Sequence, residues 1–217
     1  MFIQTGSQSL DLLHGGGVRT GMVIDVYGES GSGKSQLCFS LCANCTKAGF
    51  RAFFVDTAGT FRPERVCEMA GTTKVLDRIT FVRALNTKDQ IGVVERARDA
   101  DARLLIVDTL TSLFSAEYSG PARHLAVMSH LHDLATFAIG ADCAVVVTNM
   151  VRNAPTETGK SIQREYLGSS VSIYSHVRMK LSTEDPSRGR FHAALLQPPG
   201  GSAQFAITSR GLLDRGD

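Results

Sequence analysis

The chain has 217 residues, 43% of them hydrophobic and 20% charged, with 23 Lys and Arg against 21 Asp and Glu for a formal charge of +2. This composition excludes a disordered chain, the length allows a single α/β domain over residues 1–217, and near neutrality excludes a bulk electrostatic grip on nucleic acid. No apolar run approaches the ~18 residues that span a bilayer, and Met1 to Leu10 has neither a basic nor an apolar signal region, so a cytoplasmic protein without a membrane partner is expected.

In chain order, Val23-Ile24-Asp25-Val26-Tyr27 reads as a short strand running into a glycine-rich loop, and a helix follows from about Gly33 to Lys47. That helix sets Leu37, Cys38, Leu41, Cys42 and Cys45 on one stripe, so its three cysteines read as small buried hydrophobes rather than metal ligands. The chain holds five cysteines, an odd number, and reduced thiols are expected. Ala52-Phe53-Phe54-Val55 is a buried strand, Pro63 to Met69 a helix with proline in its first turn, and Ile79-Thr80-Phe81-Val82 a further strand.

A helix from about Lys88 to Ala100 leads to Leu104-Leu105-Ile106-Val107-Asp108, an unbroken apolar run of the kind found in strands covered on both faces. Pro121 then opens a long amphipathic helix with Leu125, Met128, Leu131, Leu134, Ala135 and Ala138 inward. His130 and His132 lie two apart, point to different sides of that helix, and are expected at the surface or in a cap. Cys143 to Val147 returns as an apolar strand. Residues 150 to 170 lack periodicity and read as a long functional or mobile connection. Val171 to Leu181, Phe191 to Leu196 and Ala203 to Ile207 read as strands without crossover helices. The class is therefore α/β: a mostly parallel sheet flanked by helices, with an antiparallel C-terminal extension.

Gly28-Glu29-Ser30-Gly31-Ser32-Gly33-Lys34-Ser35 matches G-x-x-x-x-G-K-[ST] between a strand and a helix, the context a phosphate-binding loop requires. Glycines let successive N–H groups turn inward as an anion nest, and the helix N-terminus adds its positive dipole end. Lys34 is placed to reach the β- and γ-phosphates and Ser35 to put its hydroxyl on Mg²⁺. Asp108, ending the apolar strand, sits where a second carboxylate would hold Mg²⁺ through its water shell. ATP and Mg²⁺ are the cofactors these motifs call for.

With both motifs placed, the chain resembles the ATPase core of the RecA superfamily, specifically the archaeal and eukaryotic strand-exchange recombinases. The matching stretches are Thr5-Gly6-Ser7, Leu10 to Leu13, Gly15-Gly16-Gly17, Tyr27 through Leu37, Val55-Asp56-Thr57, Gly59 through Arg65, Leu105 to Asp108, Tyr118-Ser119-Gly120 and Val146-Val147-Thr148-Asn149. They cover most of the chain in family order, and the short length resembles the RadB type of archaeal paralogue. The resemblance implies a RecA-like P-loop NTPase core in which Gln36 joins the nucleotide-binding residues and the Arg65 guanidinium stacks on adenine. It also implies a first DNA-facing loop from Tyr118 to about His124, with Arg123, and a second over residues 150 to 170, with Arg152, Lys160 and Arg164. Those three cations against Glu157 and Glu165 sum to only +1, and Tyr166 is the aromatic available to stack on a base, so DNA affinity is expected to be weak and salt-dependent.

Three departures from the family pattern stand out. Ala58 replaces the glutamate that activates the attacking water, a loss that typically costs ~10²–10⁴-fold, and Asp56 lies too far back along its strand to substitute. Met150 replaces a glutamine that relays the γ-phosphate signal into the second DNA loop; its thioether cannot carry that hydrogen bond. With Met1-Phe2-Ile3-Gln4 already resembling the edge of the ATPase core, a protein without the family's N-terminal helical domain and Phe-x-x-Ala polymerisation plug is expected. Pro198-Pro199-Gly200 falls where the family's cap covers a neighbour's nucleotide, without the usual acid.

Together these features lead to an ATP-binding accessory or mediator protein of homologous recombination and DNA repair, with weak or absent hydrolysis. It would assist a filament-forming recombinase and touch single-stranded DNA weakly, and self-association is left open. Two alternatives remain at this point: a catalytic DNA-dependent ATPase performing strand exchange, and a KaiC-like signalling module acting through protein contacts.

Overall fold

The apolar runs become strands of one sheet, seen in a computed structural model that describes residues 1–155 and 161–214. The chain starts with β1 (Phe2–Ile3), α1 (Gln8–Leu13) and β2 (Val18–Arg19), then β3 (Val23–Gly28), α2 (Lys34–Lys47), β4 (Ala52–Asp56) and α3 (Pro63–Ala70). It continues with β5 (Ile79–Arg83), α4 (Thr87–Ile91), α5 (Val93–Asp99), β6 (Leu104–Asp108), α6 (Ser112–Glu117) and α7 (Gly120–Gly140). Last come β7 (Ala144–Pro155), β8 (Ser161–Glu165), α8 (Gly168–Val171), β9 (Val177–Asp185), β10 (Arg190–Gln197), β11 (Ser202–Thr208) and β12 (Gly211–Asp214).

The sheet runs β12-β11-β10-β9-β3-β7-β6-β4-β5, with β8 paired to β7 and β1-β2 forming a separate ribbon. From β9 to β5 every pairing is parallel. Strand β9 is thus parallel to β3, and the antiparallel extension begins only beyond it, with β10, β11 and a β12 that the pattern did not announce.

Alternation along the strands divides the core into two layers. Ile24, Val26, Phe54, Ile106 and Val146 pack with Leu37, Leu41 and Val66 of α2 and α3. Val23, Phe53, Val55, Leu105, Val107 and Val147 pack with Val94, Ala97, Leu131 and Leu134 of α5 and α7. Both faces being covered explains the unbroken apolar strand sequences. Truncating a fully buried ring such as Phe53 or Phe54 would cost ~3–5 kcal/mol.

Several expectations are corrected. The helix expected from Lys88 to Ala100 is two helices meeting at Gly92. On α7 the buried stripe is Val127, His130, Leu131, Leu134, Ala135 and Ala138, while Leu125 is 67% exposed and Met128 half-buried. Leu125 lies off the three-and-four spacing of that stripe, which explains its exposure. His130 is buried against Phe114, centroids 5.6 Å apart, and neither ring nitrogen has a hydrogen-bond partner. The expected strand from Val171 starts only at Val177, because Gly168–Val171 is a helical turn. Finally, β7 runs on to Pro155 and folds back through β8, setting Val151 opposite Glu165 and Arg152 opposite Arg164, so much of the expected loop is a hairpin.

Candidate functional site

The carboxyl ends of β3, β4, β6 and β7 meet at one edge of the sheet, where ligands of open α/β folds bind. Strand β3 delivers the phosphate loop. Gly28 is obligatory there, since a Cβ would lie 2.2 Å from the Leu181 carbonyl oxygen. Gly33 adopts φ 93° as the first residue before α2, and no side chain caps that helix, so its N–H groups are open to an anion. The Lys34 Nζ donates to the carbonyls of Gly28 at 2.8 Å and Glu29 at 2.6 Å. Burial lowers its pKa, and the neighbouring Asp108 acts in the opposite direction.

The Ser35 hydroxyl donates to Asp108 Oδ2 at 2.7 Å. Asp108 is buried, its Oδ1 accepts from Thr148 Oγ1 at 2.5 Å, and Oδ2 also meets the Thr60 hydroxyl at 3.3 Å. A hydroxyl beside a carboxylate is the hard oxygen pair that suits Mg²⁺ shared with substrate phosphates rather than a full protein cage. A cavity of about 550 Å³ opens over these groups, lined among others by Lys34, Ser35, Gln36, Ala58, Thr60 and Asp108. Its far wall is apolar, from Met150, Phe191 and Ile207.

Asp56 is committed elsewhere. Its Oδ1 accepts the N–H groups of Ala58 at 2.9 Å, Gly59 at 2.6 Å and Thr60 at 3.2 Å, its Oδ2 that of Phe61 at 3.1 Å, and Arg83 pairs with it at 3.0 Å. The carboxylate is the cap that shapes the turn after β4. Ala58 turns only a methyl to the cavity.

Arg65 is clamped by its edges. Its Nε donates to Gln36 Oε1 at 2.8 Å, one terminal nitrogen to the Ser209 carbonyl at 2.7 Å and to Glu68 at 3.0 Å, and the other to the Thr208 carbonyl. Gln36 lines the cavity and Arg65 does not.

Beyond Met150 the hairpin carries the charge. Arg152 lies 4.6 Å over the Tyr166 ring, and Arg123 donates to the Tyr166 hydroxyl at 2.6 Å. One face of Tyr166 is therefore already covered. Lys160 lies outside the described residues. Arg152 and Arg164, cross-strand neighbours, line a second cavity of about 540 Å³ together with His124, Arg178 and Lys180. Gln163 hydrogen-bonds Glu29 and so ties the hairpin to the phosphate loop.

Asn149 joins the two regions. Its Oδ1 accepts from Thr111 at 2.8 Å and the Met150 N–H at 2.9 Å, and its Nδ2 donates to Glu165 Oε1 at 2.6 Å and the Tyr166 carbonyl at 2.7 Å. Glu165 pairs with Arg178, which reaches Asp25 at 3.2 Å. Burial, then the Glu165 charge, push the Asp25 pKa well up.

A family model described as Rad51 matches residues 1–215 of this chain. The chain belongs to the Rad51 family. Among curated relatives it is 35% identical to the DNA repair and recombination protein RadA of Metallosphaera sedula, over 98% of this chain and 72% of the relative. Against the protein of the same name from Aeropyrum pernix it is 33% identical, over 98% of this chain and 73% of the relative.

In this Rad51-family chain the sequence-predicted residues fall into groups. Ser30, Gly31, Gly33, Lys34, Ser35, Gln36 and Asp108 line one cavity, Gly28, Glu29 and Ser32 of the same loop do not, and Arg65 lies behind Gln36. Arg123 and Arg152 converge on Tyr166, and Arg164 faces Arg152 across the ladder. Thr60, Phe191 and Ile207 at the first cavity and Arg178 and Lys180 at the second were missed. The Thr60 hydroxyl, four residues past Asp56, was within reach of local reading; the others sit on strands far along the chain.

Proposed function

We propose that this Rad51-family chain is a RadB-type accessory protein of recombination and repair that binds Mg-ATP and hydrolyses it very slowly. The observation that carries the reading is the turn after β4, where Ala58 stands at the water-activating position and the Asp56 carboxylate is fully engaged by the N–H groups of residues 58 to 61. Among the described residues lining the cavity, Asp108 is the one carboxylate, and it faces Ser35 as a Mg²⁺ holder. The metal, when bound, would neutralise phosphate charge; Lys34 and the open N–H groups at the start of α2 would grip the phosphates, and the apolar wall of Phe191 and Ile207 would shelter them from water.

Occupancy then acts as a signal. Thr148 and Asn149 link Asp108 to Glu165 and the hairpin, a route that does not need a glutamine at position 150. The cleft carries Arg152, Arg164 and Lys180, with Arg178 paired to the Glu165 that also lines it, and this supports weak contact with single-stranded DNA over a purely protein-binding module. The kinship with proteins named for DNA repair and recombination supports a filament-forming recombinase as the partner.

Calorimetry with ATP in the presence and absence of Mg²⁺ tests the binding half. Saturable binding that weakens without Mg²⁺ and is lost in Lys34→Ala is expected; affinity that Lys34→Ala leaves unchanged would refute it. One observation favours the strand-exchange ATPase instead, namely the Thr60 hydroxyl 3.3 Å from Asp108, placed to hold a water. Brisk turnover that Thr60→Val abolishes would install that reading.

A further inference from the structure

A cavity of about 650 Å³ opens beside the starts of β3 and β9, at the far end of both strands from the phosphate loop. Its walls are apolar: Phe2, Leu13, Met22, Ile24, Val177 and Leu195. Small-molecule sites fall in this size range and combine such walls with a few convergent polar groups, and four polar side chains line this one.

His176 accepts the Val23 N–H on Nδ1 at 3.0 Å, which places its own proton on Nε2 and makes that atom a donor. Gln197 uses its amide nitrogen on the Ser175 carbonyl at 2.8 Å, leaving Oε1 as an acceptor. His14 lies with Nε2 3.2 Å from the Met179 sulfur, and burial lowers its pKa to about 4, so it lines the cavity as a neutral ring. Arg19 is exposed and has no ion-pair partner among the described residues. The charge offered to a ligand is thus a single positive one over an apolar box, unlike the polyphosphate cradle at the other end of β3.

We infer that this cavity is a binding site for a small aromatic monoanion, whose ring system lies against Met22, Val177 and Leu195 and whose acid group faces Arg19 and the His176 Nε2–H. The site is independent of the nucleotide reading, since none of its residues touches the phosphate loop cavity. A carboxylate and a sulfonate share the required chemistry.

The probe is 8-anilinonaphthalene-1-sulfonate, an aromatic monoanion, titrated by fluorescence into the whole chain held with saturating Mg-ATP to occupy the other cavity. Saturable binding of one dye per chain is expected, weakened roughly tenfold when Val177→Trp fills the cavity and about fivefold in Arg19→Glu. Arg19 is exposed, so Arg19→Glu keeps the thermal midpoint and leaves the test decisive even if Val177→Trp fails to fold. Absence of saturable binding, or binding that Arg19→Glu leaves unchanged, overturns the inference. One dye per pair of chains, rising with self-association, also overturns it and assigns the face to contact between copies.

Discussion

Asn149 and Glu165 are joined by a 2.6 Å hydrogen bond from Nδ2 to Oε1. Asn149 is the last residue but one of β7 that pairs with β3, next to the Thr148 that holds Asp108, and Glu165 ends the returning strand of the hairpin. The bond therefore ties the geometry of Asp108, the proposed Mg²⁺ holder, to the element that carries Arg152 and Arg164. In Asn149→Ala, hydrogen exchange of the hairpin backbone should lose its response to Mg-ATP while ATP affinity changes less than about threefold. The substitution also leaves the Thr111 hydroxyl without its acceptor and Glu165 held by Arg178 alone, a cost of ~1–3 kcal/mol. An unchanged exchange response would show that the signal travels elsewhere.

On the proposed reading, Ala58→Glu supplies a water-activating carboxylate to the cavity lined by Lys34, Ser35 and Asp108. Phosphate release is expected to rise ~10²-fold or more, with ATP affinity little changed. No rise would show that the turn after β4 cannot present the new side chain.

Asp56→Ala has a different outcome. It leaves the N–H groups of residues 58 to 61 without their acceptor and Arg83 without its partner, so a loss of ~2–4 kcal/mol in stability is expected. At this chain length a kcal/mol lowers the thermal midpoint by ~2–4 °C. Thermal unfolding measures it; a midpoint unchanged from the parent would mean the turn is held by other contacts.

The meeting of the glycine-rich loop with Asp108 at one cavity was legible in the sequence because each lies at the end of a contiguous apolar strand. The parallel core was legible for a similar reason, since runs such as Leu104 to Val107 announce burial on both faces. The hairpin was not, because Arg152 and Arg164 find each other only through the antiparallel pairing of β7 with β8 and alternate no apolar pattern. His130 misled because imidazole is ordinarily polar, whereas here it fills an apolar slot beside Phe114. Phe191, Ile207, Arg178 and Lys180 reach their cavities only through sheet order, which no local spacing encodes.

That buried imidazole has a pH consequence. Burial lowers the His130 pKa from 6.5 to about 4, so the folded chain binds fewer protons than the unfolded chain between those values. Its contribution is present above about 6.5 and is lost as pH falls toward 4, amounting to at most ~3 kcal/mol. Asp25, whose pKa is raised by burial and Glu165, acts in the opposite sense, so the parent must be compared with His130→Leu. Denaturant unfolding from pH 7 to 4.5 should show a shallower loss in the variant; parallel curves would mean the histidine does not titrate in this range.

Salt dependence reads the second cavity. Binding of single-stranded DNA in the presence of Mg-ATP should weaken steeply with salt, and Arg152→Ala should lower the slope of log affinity against log salt by about 1. A slope untouched by Arg152→Ala and Arg164→Ala would remove the hairpin from the DNA contact.

The most direct measurement is the rate of phosphate release from Mg-ATP by the parent chain, with and without single-stranded DNA, at ATP concentrations shown by calorimetry to saturate it. Saturation with negligible release that DNA does not stimulate is the predicted result. Brisk, DNA-stimulated release abolished in Lys34→Ala would contradict the account, because the chain would then activate water with alanine at the position proposed for the water-activating residue.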